Sequence, residues 1–115
     1  MVSLLLCLFI NYNIQISDEF VKDLENKVIK QQDICRGFYI QDTVSPLILK
    51  QARILCNKNI ILIIKLNNVY DMMKCNEFKQ DIDSLTRTYI NTTYHILNNI
   101  NTIQTILLMK NVTRF

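Results

Sequence analysis

Glycine and proline are almost missing from this sequence: one glycine, Gly37, and one proline, Pro46, serve 115 residues. A βαβ nucleotide fold, a phosphate-binding loop or a Greek-key sandwich needs several glycines, because turns with positive φ and close backbone approach exclude a Cβ. Those classes are excluded, and a helical protein with few sharp turns is expected. Tryptophan is absent and histidine occurs once, at His95. A His-rich metal site is thereby excluded, and acid–base chemistry at His95 has no partner at a recognisable spacing. His95 reads as an ordinary helix residue. Without a nucleophile–base pair, a carboxylate constellation or a metal motif, the chain is expected to be no enzyme and to use no cofactor.

Blocks of like charge are lacking too. Thirteen basic and ten acidic residues, net +3, are interspersed along the chain, whereas a nucleic-acid-binding face clusters its Lys and Arg. No nucleic-acid partner is expected. Hydrophobic runs are short: Val2–Ile10 is an uncharged stretch of nine, where a bilayer span needs about 20. The apolar stretch Ile60–Ile64 is ended by Lys65, so no membrane insertion is expected. Nine residues do have the length of a signal-peptide core. Residues 1–17 therefore read as a leader, cleaved after Ser17, which implies a secreted domain over 18–115. The competing reading makes Val2–Ile10 the buried first element of an intracellular protein.

Isoleucine and leucine, by contrast, are plentiful and periodic, enough to offset chain entropy and exclude disorder. From Asp18, the residues Phe20, Val21, Leu24 and Val28 fall on one helical stripe, with Lys22, Asp23, Glu25 and Lys27 elsewhere on the wheel. Asp18 and Glu19 complement the dipole of the first turn, and Ser17 or Asp18 can cap it. Between Cys35 and Pro46 the spacing predicts a loop with a short extended piece at Phe38–Ile40. Ser45 can cap a second helix with Pro46 in its first turn. That helix runs without a breaker from Leu47 to Met73, with Ala52, Leu55, Cys56, Asn59, Leu62, Ile63, Leu66, Tyr70 and Met73 on one face. The β-branched cluster around Ile61 could instead form a buried strand. Phe78, Ile82, Leu85 and Tyr89 make a third stripe, and Leu97, Ile100, Ile103 or Gln104, and Leu107 a fourth. Asn91–Thr93 separates these last two only weakly, which leaves two helices or one long helix open. Such stripes must bury one another, so the expected fold is all-α, a small helical bundle.

Cys7 falls in the presumed leader, leaving Cys35, Cys56 and Cys75. In a secreted chain one bridge with an odd thiol is expected. Cys35 follows the first helix and Cys75 the second, two helix ends that a bundle could bring together. A Cys35–Cys75 bridge would close about 40 residues, for roughly 4 kcal/mol on chain-entropy grounds. Cys56, on the apolar face, is then an unpaired buried thiol. A zinc site of three cysteines with His95 lacks any C-x-x-C pair, and no metal is expected. Asn91 and Asn111 open N-x-[ST] sequons and are candidate glycosylation sites.

The segment Asp18–Glu25, followed by Gln31–Cys35, resembles the first helix and following cysteine of the interleukin-4 and interleukin-13 family of short-chain four-helix cytokines. The intervals Cys35 to Cys56 and Cys56 to Cys75 are similar to that family's first-loop and second-helix cysteines. The resemblance spans residues 18–75. It implies a secreted, monomeric ligand of a class I cytokine receptor, of the interleukin-4 receptor alpha type, that modulates immune-cell signalling. Glu19 matches the family's main receptor anchor, Lys22 lies in the same motif, and Arg87 stands for a basic residue of the third helix in the stretch from Lys79. The resemblance also implies the pairing of Cys35 with Cys75. Three features depart from it: no cysteine follows Cys75, the terminal bridge is missing, and no long crossover separates a third from a fourth helix. A fourth helix is therefore uncertain. A second class of function is a small intracellular helical bundle that takes a partner helix in an apolar groove.

Overall fold

The computed structural model describes residues 14–37, 46–75 and 82–112, the side chains of Gly37, Pro46 and residues beyond Ile106 excepted. The run Val2–Ile10, Cys7, the extended piece expected at Phe38–Ile40, the Ser45 cap, Phe78, Lys79 and the side chains of Leu107 and Asn111 lie outside them. The described residues form three helices, α1 (Asp18–Gly37), α2 (Pro46–Cys75) and α3 (Ile82–Val112), and no strand.

Each helix starts for a local reason. Ser17 caps α1: its Oγ accepts from the Phe20 N–H at 3.1 Å and its carbonyl from the Val21 N–H at 3.2 Å, which satisfies two of the first-turn donors. Asp18 and Glu19 follow in the first turn, and Arg36 sits in the last, both favourable to the helix dipole. Pro46 opens α2, where its missing N–H costs nothing. The β-branched cluster of α2 is helical because the buried face Cys56, Asn59, Ile63, Leu66 and Tyr70 continues through it. Burial along a whole face outweighs propensity differences of a few tenths of a kcal/mol per residue.

Between Ile82 and Val112 the chain is one uninterrupted helix. Its many threonines fit because their hydroxyls donate back to carbonyls four residues earlier: Thr86 to Ile82 at 2.6 Å, Thr88 to Ser84 at 3.0 Å, Thr102 to Asn98 at 3.1 Å and Thr105 to Asn101 at 2.9 Å. The side-chain hydroxyl thus finds a partner without competing for the helix's own N–H groups.

Cross-helix contacts give the direction of every element. Asp18, Glu25 and Cys35 on α1 meet Lys74, Asn67 and Cys56 on α2, so these two run antiparallel. Asn59 of α2 donates to the Ile96 carbonyl and accepts from Asn99, while Tyr70 packs on Tyr89 at 6.0 Å between ring centroids, so α3 runs antiparallel to α2. Gln31 donates to the Ile100 carbonyl at 3.1 Å, which sets α3 parallel to α1. The result is an up-down-up bundle, as expected of helices joined by links of eight and six residues, since short links make antiparallel neighbours. The main core gathers Val21, Leu24, Val28, Ile63, Leu66, Val69, Tyr89, Ile96 and Ile100. A second cluster of Cys35, Ala52, Cys56, Ile103 and Ile106 fills the end where α1 stops.

Of the two alternatives the sequence leaves open beyond Ile82, two helices or one long helix, the structure has the single helix, so the described residues form three helices. The residues just before α1 pack onto the bundle: Ile14 is fully buried in the main core, Ile16 packs against it, and the Tyr89 hydroxyl donates to the Gln15 carbonyl at 2.6 Å.

Candidate functional site

Glu19 and Lys22 are one turn apart on α1 and therefore neighbours on its surface. Both are exposed, and Asp23, Asn26, Lys30 and Asp33 extend the same solvent side, opposite the buried Val21, Leu24 and Val28. The amphipathic pattern of the sequence thus delivers a charged, uncovered face running the length of α1. Arg87 is exposed on α3. Among the described residues none of these three side chains enters a salt bridge; both bridges belong to Lys74.

Beside that face, where α1 begins and α2 ends, lies an open cleft of about 250 Å³ lined by Asp18, Lys22, Glu25, Asn67, Tyr70 and Lys74, among others. Lys74 Nζ is 3.4 Å from Asp18 Oδ1 and 3.7 Å from Asp71 Oδ1, and stands 4.7 Å above the Tyr70 ring. The Tyr70 hydroxyl, then the Lys74 ammonium, hold the Asp18 carboxyl below the usual range. Burial, then the Asp18 carboxylate, push the Tyr70 phenol up. Loss of water pulls Lys74 down, but its hydrogen bond to Asp18 and the charges of Asp18 and Asp71 outweigh that and raise it. These exposed ion pairs add little stability. Their effect is to order the rim of the cleft that Lys22 also lines.

The cysteines are placed differently from the expected bridge. Cys35 and Cys56 are both buried, with their sulfurs 2.9 Å apart. Cys75 is exposed and follows Lys74, which touches Asp18 at the start of α1. The antiparallel run of α2 carries Cys75 about 28 Å from Cys56, at about 1.5 Å per residue, to the far end of the bundle from Cys35. The structure therefore does not bring Cys35 to Cys75; Cys56 is a buried free thiol, as expected, with Cys35 beside it. The Cys35 thiol is pulled down by the hydrogen bond from Cys56, against burial and with help from the charge of Arg53. The same hydrogen bond, with burial, pushes Cys56 up.

Asn91 is exposed in the middle of α3, while Thr93 of its sequon is buried. His95 is exposed and meets Tyr94 edge-on, at 6.4 Å between centroids. Among the described residues no group of three or more His, Cys, Asp or Glu could hold a metal ion, and none of their helices is long and apolar enough to cross a membrane. Tyr89, Asn59, Asn99 and Gln31, which knit the helices together, were not singled out as anchors by the sequence. The one available signal was polar residues at core-face spacing, as at Val28, Gln31 and Cys35.

The fold and these surfaces define a small all-α helical bundle with a charged first-helix face. No family model, curated protein or solved structure matches the chain.

Proposed function

We propose that this chain is a secreted, non-enzymatic, monomeric helical ligand of the interleukin-4 and interleukin-13 type. It binds a class I cytokine receptor, of the interleukin-4 receptor alpha kind, and modulates immune-cell signalling. The observation that carries this reading is the exposure of Glu19 and Lys22 together on α1, in the segment that resembles the family's first helix. Receptor binding rests on a few charged anchors inside a wider complementary face, with electrostatics speeding encounter. Glu19 is the anchor, Lys22 flanks it at the cleft, and the exposed Arg87 adds a cation from α3. The up-down-up path departs from the up-up-down-down order of four-helix cytokines. The ligand is accordingly a divergent one that keeps the first-helix anchor and, among the described residues, has no separate fourth helix.

A second reading is favoured by a different observation. Leu47, Ile54, Ile61, Ile64 and Met72 are all exposed, Ile61 by 67%, and their spacing keeps them on one side of α2. An apolar stripe of this kind can seat an amphipathic partner helix, as an intracellular interaction protein would. Expression in a secreting cell separates the two. The ligand reading requires protein in the medium without the Val2–Ile10 run, and a glycan shift abolished by Asn91→Gln and Asn111→Gln together. An intact Met1, retention in the cell and no glycan would remove it in favour of the partner-helix reading.

A further inference from the structure

Cys35, in the last turn of α1, and Cys56, on the inner face of α2, put two thiols at a helix–helix junction with 2.9 Å between their sulfurs. A disulfide bond is about 2.05 Å, so joining them asks for less than 1 Å of approach and no movement of either helix along the other. The pair is not sealed. A cleft of about 130 Å³ reaches it, lined by Gln32, Cys35, Arg36, Arg53, Cys56 and Asn57. Two of those six residues are arginines. The charge of Arg53 favours the Cys35 thiolate, and the two arginines at the cleft can draw an anionic reagent.

We propose that Cys35 and Cys56 form a redox-controlled clamp between α1 and α2, closed by exchange with an anionic small-molecule disulfide such as oxidised glutathione. Cys35, as the thiolate, attacks one sulfur of the small disulfide. A mixed disulfide forms at Cys35 and one small thiolate leaves. The Cys56 thiol then gives its proton to that thiolate or to water and attacks the Cys35 sulfur, releasing the second small thiolate. Two protein thiols are oxidised by two electrons, and one small disulfide is reduced to two thiols. Arg36 and Arg53 are positioning residues in this step, and Cys75, at the other end of the bundle, takes no part. The environment of the pair agrees with this order of events, since Cys35 is the more acidic thiol and Cys56 the less acidic one. The inference stands apart from the receptor reading, because it concerns only how α1 is tied to α2.

The test is linkage mapping of the folded full-length chain equilibrated with oxidised glutathione, then alkylated and digested with trypsin without reduction. The expected result is residues 31–36 joined to residues 54–58, with Cys75 alkylated on residues 75–79. The pair should have lost about 2 Da, its two thiol hydrogens. Closing a loop of about 20 residues should raise the folding equilibrium constant on the order of 100-fold over the reduced form, seen as a higher urea midpoint. That gap should vanish in Cys56→Ala and persist in Cys75→Ser. Linkage of residues 31–36 to 75–79, recovery of both Cys35 and Cys56 alkylated, or a glutathione adduct that stays on Cys35 would each overturn the proposal. The wild-type linkage map decides even where Cys56→Ala fails to fold.

Discussion

Ile14 gives the most exposing test of how the bundle is assembled. It lies four residues before α1, on the leader side of the boundary suggested by the sequence, yet it is fully buried among Val21, Leu24, Leu66 and Tyr89. Ile14→Ala removes three carbons from a packed core, which costs about 2–4 kcal/mol as lost transfer energy plus residual cavity. For a chain of this size the urea slope is about 1–2 kcal/mol per M, so the midpoint should fall by roughly 1–4 M. The point substitution is more informative than deleting residues 14–17. Deletion also removes the Ser17 cap, worth about 1 kcal/mol, and the Tyr89–Gln15 bond, worth about 0.5–1.5 kcal/mol. It simultaneously frees four residues whose ordering costs about 1 kcal/mol each, and these opposite effects nearly cancel. Gln15→Ala, at an exposed side chain, is the control and should stay within about 0.5 kcal/mol. An Ile14→Ala midpoint equal to the control's would show that residues 14–17 are not part of the core. A leader removed before Ile14 keeps this anchor, whereas a cut after Ser17 discards it.

Two buried side chains and one helix cap give three further outcomes. Burial, with the nearby Tyr70, raises the folded-state pKa of Tyr89 above its usual value. Its contribution is therefore complete below the unfolded value of about 10 and is lost as pH rises through the folded one. Tyr89→Phe should cost about 0.5–1.5 kcal/mol at neutral pH through the missing bond to the Gln15 carbonyl, and should flatten the alkaline fall in stability measured by urea unfolding. Asn59→Asp places a carboxylate where the side chain is 1% exposed and faces the Ile96 carbonyl. A loss of about 2–4 kcal/mol at pH 7, partly recovered in acid, is expected; unchanged stability at both pH values would mean that Asn59 is not buried. Ser17→Ala should lower stability by about 1 kcal/mol through the α1 cap, with a loss of far-UV helicity at partial denaturation.

Much of the bundle is written in the sequence because burial imposes a period. Val21, Leu24 and Val28, and the long face from Ala52 to Tyr70, sit where that period puts them. The phase slips in α3, where Ile96 rather than Leu97 is fully buried. Thr92 and Thr93 look like a polar break but are buried within a continuous helix, where packing of their face outweighs the small helix-propensity cost of a β-branched residue. The cysteine partner was not legible for another reason. Spacing along the chain fixes how far apart two sulfurs can be, but which one meets Cys35 depends on the direction in which α2 returns. An eight-residue link sends it back antiparallel, which brings Cys56 to Cys35 and takes Cys75 away. Likewise, exposure of Glu19, Lys22 and Arg87 follows from amphipathicity, while their use as a binding face rests on the resemblance of residues 18–75.

The receptor reading is tested most directly by titrating the mature chain onto the purified extracellular domain of an interleukin-4-type receptor alpha chain, beside Glu19→Lys. The account predicts saturable binding by the wild type and a loss of at least about 30-fold in affinity for Glu19→Lys, the size of a binding hot spot, with far-UV helicity unchanged. No binding by the wild type, or equal affinity for the two proteins, would contradict it.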